Sequence, residues 1–177
     1  IDYKSHPDQK NTFIKDEWLS GQSSKSVYDL KVNNLSKGVF SKDWKNFRIE
    51  HTEENYLVYS KIITNSVNIS ECLEKANFKM IDTNIIYELN VNKLFENHQH
   101  NDITICFAEK KHQQALEKIA RDNFHYSRFH LDPLINNDLA NQIKQNWVKS
   151  YFLGMRGEEM VVALLNNKPI GFLQLMI

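Results

Sequence analysis

The sequence predicts an α/β fold with mixed sheets, arranged as two successive units rather than as a helical bundle or an all-β sandwich. Three observations carry that expectation. Segments of period-2 apolar alternation are interleaved with amphipathic segments of helical period along the 177 residues. A polar connector, "NKLFENHQHN" (92–101), separates two such series. The second series closes with two apolar runs around Asn166-Asn167-Lys168, which suits a hairpin because Asn tolerates positive φ. The expected units are residues 1–97, a small N-terminal α/β unit, and residues 98–177.

Residues 1–26 are polar and irregular, with one helical turn expected around 13–19 and Gly/Ser linker chemistry behind it. "VYDLKV" (27–32) alternates as a strand, with Tyr28, Leu30 and Val32 on one face. Residues 39–51 hold Phe40, Trp44, Phe47 and Ile49 in a segment with no assignable period. "ENYLVYSKIIT" (54–64) is β-branched and aromatic, and reads as a strand. "NISECLEKANF" reads as a helix capped by Asn68, with Glu71 at capping-box spacing. Its apolar stripe is Ile69, Cys72, Leu73 and Ala76, and Asn77 is a left-handed stop. "KMIDTNIIYELNV" (79–91) is expected as a long strand.

The second unit opens with "DITICFA" (102–108), a strand with Ile103, Ile105 and Phe107 on one face. "KHQQALEKIARDNF" follows as a helix, because Ala115, Leu116, Ile119, Ala120 and Phe124 recur at helical spacing. A second helix starts among Asn136, Asn137 and Asp138 and carries Leu139, Ile143, Trp147, Val148 and Tyr151. "GMRGEE" breaks it, and the strands "MVVALL" (160–165) and "PIGFLQL" (169–175) complete the order β–α–loop–α–β–turn–β.

Charge and cysteine content narrow the function. The 22 basic and 22 acidic residues cancel, which removes any electrostatic drive toward nucleic acid or an anionic membrane. No apolar run approaches the roughly 18–20 residues of a membrane span. Cys72 and Cys106 are isolated, as expected of a reducing compartment, so the location expected is cytoplasmic. The chain opens on Ile1 and stops inside the apolar "IGFLQLMI", so it reads as the first part of a longer protein. A bare strand there would otherwise need a homodimer or a strand-completing partner.

The stretch "NFHYSRFHLDPLI" (123–135) concentrates the candidate chemistry between the two helices. Arg128 is a bidentate fork suited to phosphate, or else a stacking and salt-bridge residue. Tyr126, Phe129 and the helical Trp147 offer aromatic faces, while Phe129 and Trp147 equally suit the core, Trp147 by its helical spacing. His130 is a conceivable proton relay, and His125 and His130 equally suit structural hydrogen bonds. Asp132-Pro133 is a turn that aims the next helix. No metal site is expected: His98-x-His100 lies in a loop-like stretch with no further ligands. No Ser or Cys has the context of a covalent nucleophile.

Tyr126-Ser127-Arg128-Phe129-His130 with Asp132-Pro133, then Trp147-Val148, then Pro169-Ile170-Gly171-Phe172, resembles the opening of a GNAT-type N-acyltransferase. The pattern is similar to that of the dTDP-fucosamine and related amino-sugar acetyltransferases, over about residues 123–175. The resemblance implies a partial GNAT fold in residues 98–177 and acetyl-CoA-dependent acetylation of a small primary amine. It also implies that Tyr126, Arg128, Phe129, His130 and Trp147 face the acceptor. The family's acetyl-CoA motif, a Gly-rich loop opening a helix, is expected beyond Ile177, because the five glycines here form no such cluster. The general acid and base remain unassigned. The competing expectation is a non-catalytic α/β binding module that keeps part of an acyltransferase scaffold.

Overall fold

The computed structural model describes residues 10–33, 37–87 and 102–176. The chain divides into two compact units, Ile1–Thr83 and Asn84–Ile177. Each is α/β and, among the described residues, holds one three-stranded sheet. The boundary expected at 97–98, with His98 and His100, lies outside the described residues.

In the first unit β1 (Thr12–Lys15) pairs antiparallel with β2 (Ser26–Lys31), and β2 pairs parallel with β3 (Tyr56–Tyr59). The sheet is therefore mixed, as expected. The helical turn anticipated at 13–19 divides in two. Residues 12–15 find a ladder partner in β2, and only α1 (Glu17–Ser20) is helical, with the Asp16 carboxylate accepting from Leu19 N–H at 2.9 Å. The segment without an assignable period is α2 (Lys37–Glu50). Its Phe40, Trp44 and Phe47 stand at i, i+4 and i+7, one helical face, and Phe47 stacks on Phe13 with centroids 4.1 Å apart. As a crossover helix, α2 is what allows β2 and β3 to run parallel.

Three further expectations are corrected in this unit. The strand read over 54–64 is only the four residues of β3; past them, Ser60 Oγ donates to Leu30 O at 2.8 Å. Asn68 does not cap the following helix, α3 (Val67–Lys75); it lies inside the first turn, and Ser66 holds the cap position without a side-chain bond. The long strand at 79–91 is not formed at 79–87, where Met80 and Ile86 are exposed and no ladder partner is present among the described residues; 88–91 lie outside them. A β-favouring composition makes a strand only where a neighbour accepts its hydrogen bonds. Asn77 does end α3 with φ 66°, and Phe78 N–H folds back to Leu73 O at 2.9 Å. Leu30, Val32, Phe40, Ile69 and Leu73 form the core of this unit.

In the second unit the element order is as expected: β4 (Ile103–Phe107), a 3-10 turn Lys110–His112, α4 (Gln113–Asn123), α5 (Arg128–Leu131), α6 (Asn137–Phe152), β5 (Glu159–Leu165) and β6 (Lys168–Leu175). The three strands are antiparallel in the order β4-β5-β6. Asn166 (φ 50°) and Asn167 (φ 60°) make the two-residue hairpin turn, both left-handed as a primed turn demands. The Asn136 side chain caps α6, accepting from Leu139 N–H at 2.8 Å.

One face of this sheet is the core. Cys106, Met160, Val162, Leu164 and Phe172 pack there with Leu116 and Ala120 of α4 and Val148 of α6. The register places Ile103, Ile105, Phe107, Val161, Ala163, Leu165, Gly171 and Leu173 on the opposite face. That face is also apolar, yet Ile105, Phe107 and Leu173 are 61–63% exposed.

Candidate functional site

The 123–135 stretch is not a featureless loop. It contains α5, a single helical turn too short to stand on its own propensity. Two side chains hold it down. Phe129 is 4% exposed and meets the Trp147 ring edge-on, at 5.6 Å between centroids and 73° between planes. His130 bridges the other side: its Nδ1 lies 2.7 Å from Ser127 Oγ and its Nε2 lies 2.9 Å from Asn141 Oδ1 on α6. The Asp132 carboxylate accepts from Leu134 N–H at 2.9 Å, a local turn that carries the chain past Pro133 toward the α6 cap.

Positive charge gathers over this aromatic pair. The Arg128 guanidinium carbon is 4.6 Å from the Phe129 ring centroid. Lys144 Nζ lies 4.2 Å from the Trp147 ring, 5.4 Å from Phe124 and 5.6 Å from Phe129. Arg156 approaches Trp147 from the loop after α6, at 4.8 Å. Its backbone is fixed from two directions. Gly154 and Gly157 take positive φ on either side, and Gln174 Nε2 of β6 donates to Arg156 O at 3.0 Å. A Cβ at Gly157 would come within 2.6 Å of that Gln174 nitrogen, so the glycine is required for the approach.

Of the residues expected to face an acceptor, Arg128, Phe129 and Trp147 are brought together, and His130 stands beside them on α5. Tyr126 is 89% exposed and stands in solvent. His125 reaches only the edge of His130, with ring centroids 6.4 Å apart. Sequence reasoning missed Lys144, Asn141 and Arg156. The first two were findable: Asn141, Lys144 and Trp147 are spaced by three along α6 and share a flank. Arg156 carries no such signal, since only the hairpin returns its loop to the helix.

Each imidazole nitrogen of His130 has a partner. With the Asn141 amide oxygen facing the ring, Nε2 donates to it, and Nδ1 shares a hydrogen bond with the Ser127 hydroxyl. This arrangement orients α5 and leaves no ring nitrogen turned outward. Among the described residues no group of His, Cys, Asp and Glu side chains could hold a metal ion, and no helix is long and apolar enough to cross a membrane. The described residues also lack a glycine cluster opening a helix, so they do not fit the pyrophosphate of acetyl-CoA in the manner the family resemblance implies.

No family model matches the chain. A 61-residue stretch is 39% identical to the spore coat polysaccharide biosynthesis protein SpsD of Bacillus subtilis (strain 168). That stretch is 34% of this chain and 21% of the relative, so the likeness spans about a fifth of the longer protein.

Proposed function

We propose that the chain is the acceptor-binding part of an N-acyltransferase that acetylates a primary amine on an amino sugar, carried free or on a nucleotide. The likeness to a polysaccharide biosynthesis protein carries this reading, because it points to sugar chemistry. The aromatic–Ser–Arg–Phe–His–x–Asp–Pro loop, folded as a helical turn on the Trp147 helix, supports it.

In this reading each residue acts on the acceptor. Phe129 and Trp147 form the floor, Arg128 binds an anionic group of the substrate, and exposed Tyr126 closes by stacking over the sugar. His130 positions α5 through Ser127 and Asn141. The proton lost by the attacking ammonium therefore leaves through water or another group rather than through this imidazole. Acetyl-CoA is the proposed donor and supplies a thioester carbonyl for the amine. Its cradle is not among the described residues, so no step on the donor side is assigned to them. A cytoplasmic location belongs to the same proposal and accords with the unpaired Cys72 and Cys106.

Calorimetric titration of the whole gene product with acetyl-CoA tests the reading. Saturable binding below millimolar is expected. No heat at millimolar cofactor would overturn the transferase and favour a non-catalytic binding module.

A further inference from the structure

A cavity of about 670 Å³, open to solvent, is lined by Ala115, Glu117, Lys118 and Arg121 of α4 and by Gln145 of α6. Its volume falls within the range of small-molecule sites. Glu117 is half-buried, and each of its carboxylate oxygens takes an amide rather than a cation. Gln113 Nε2 donates to Oε1 at 2.6 Å, and Gln145 Nε2 donates to Oε2 at 3.4 Å. The other end of the same amide, Gln145 Oε1, accepts from Arg121 Nη1 at 3.5 Å. Glu117 and Arg121 stand at i and i+4 with the acid nearer the N-terminus, the order in which a helical ion pair closes best. Here it does not close: among the described residues neither side chain is in an ion pair, and the Gln145 amide stands between them. One residue further along, Lys118 Nζ and Asp122 Oδ2 do close, at 2.5 Å, although their order is the poorer one. That bond, above all, holds the Asp122 carboxyl below its ordinary value, and Arg121 adds a smaller part through space.

We propose that this cavity binds a free α-amino acid as its zwitterion, with the ammonium on Glu117 and the carboxylate on Arg121. Opposite charges held apart by one amide match a ligand that carries both charges on a single carbon. The two Gln145 bonds are long, so shorter charge-assisted bonds to the ligand replace them at little cost. A half-turn of the Gln145 amide then gives its oxygen to the ammonium and its NH2 group to the carboxylate. Gln113 stays on Glu117 and fixes that carboxylate before the ligand arrives. The Ala115 methyl and the stems of Lys118 and Arg121 supply an apolar wall for the ligand's side chain. Already paired with each other, Lys118 and Asp122 offer no competing charge to either end. The lining shares no residue with the acceptor reading, so the two stand or fall separately.

The test is titration of the full chain with L-leucine and with its two half-ligands, 3-methylbutylamine and 4-methylpentanoate. Binding is followed through the side-chain amide resonances of the glutamines. Leucine should shift Gln113 and Gln145 saturably at millimolar concentration, while Gln174 on β6 stays. Each half-ligand, lacking one charge, should bind about tenfold more weakly. Glu117→Gln should weaken leucine and the amine about tenfold and leave 4-methylpentanoate unchanged; Arg121→Gln should do the reverse for the half-ligands. Lys149→Gln, exposed on α6 and outside the lining, should change nothing. A Gln145 resonance that stays fixed up to the solubility limit of leucine would overturn the site. So would leucine losses in Lys149→Gln equal to those in Glu117→Gln. An amine that binds the unaltered chain as tightly as leucine would overturn the zwitterion, and this comparison needs no variant to fold.

Discussion

His130 Nε2 stands 2.9 Å from Asn141 Oδ1, a side-chain bond that ties a one-turn helix to the flank of a sixteen-residue one. Ser127 Oγ engages the opposite ring nitrogen at 2.7 Å. Replacing Asn141 with Leu strands the Nε2–H in a half-buried position. The expected cost is about 1–2 kcal/mol, the penalty for an unmade hydrogen bond, read by denaturant titration. His130→Ala removes this link and the Ser127 contact together, so the double variant should cost little more than His130→Ala alone.

Phe129 and Tyr126 are close in sequence and opposite in environment. Phe129→Ala removes a buried ring and its contact with Trp147, for an expected loss of about 3 kcal/mol in stability. Tyr126→Ala should stay within about 0.5 kcal/mol of the parent. Its effect belongs in the acceptor KM, which should rise while kcat is held.

The two faces of the second sheet give a paired test. Val162 is fully buried against Leu116 and Met160, whereas Ile105 is 63% exposed on the other face. Val162→Ala should cost about 2 kcal/mol and Ile105→Ala well under 1 kcal/mol, by chemical denaturation of the full chain. Equal losses would show that the Ile105 face is covered in solution.

A pH-dependent term sits in the first unit. Glu54 accepts from Tyr28 Oη at 3.0 Å and lies 3.0 Å from His51 Nδ1. The His51 contact first, and the Tyr28 hydroxyl second, hold its carboxyl below the ordinary value of 4.5. Burial, above all, pushes the Tyr28 phenol above its usual range, so it remains a donor. A depressed folded value means that the native state binds the proton less readily than the unfolded chain. The contribution is thus fully present above the ordinary carboxyl value and is lost as pH falls through the lower, folded one. Glu54→Gln should flatten the melting temperature of this unit against pH below about 4.5; an unchanged slope would assign that slope to other carboxylates.

Much of the fold was legible because its signals are local. The Asn166-Asn167 turn, the Asn77 stop and the 3.6-residue period of α4 each depend on a few neighbouring residues. What was misread depends on partners elsewhere in the chain. Residues 12–15 became a strand because β2 accepts them, and 79–87 find no strand neighbour among the described residues. The α2 helix was obscured because Phe40, Trp44 and Phe47 mark its buried face while Ile49 is exposed outside it. At the site, Arg128, Phe129 and Trp147 could be chosen from residue type. Arg156 could not, because a hairpin and two left-handed glycines bring it to the indole.

The most direct test of amino-sugar acylation is release of free CoA thiol by the whole gene product, supplied with acetyl-CoA and a panel of free and nucleotide-linked amino sugars. Release is expected to require a free amine on the sugar, with product bearing one added acetyl group. Arg128→Gln is expected to raise KM about tenfold for the nucleotide-linked substrates. Thiol release that is absent across the panel, or indifferent to the amine, would rule out amino-sugar acylation.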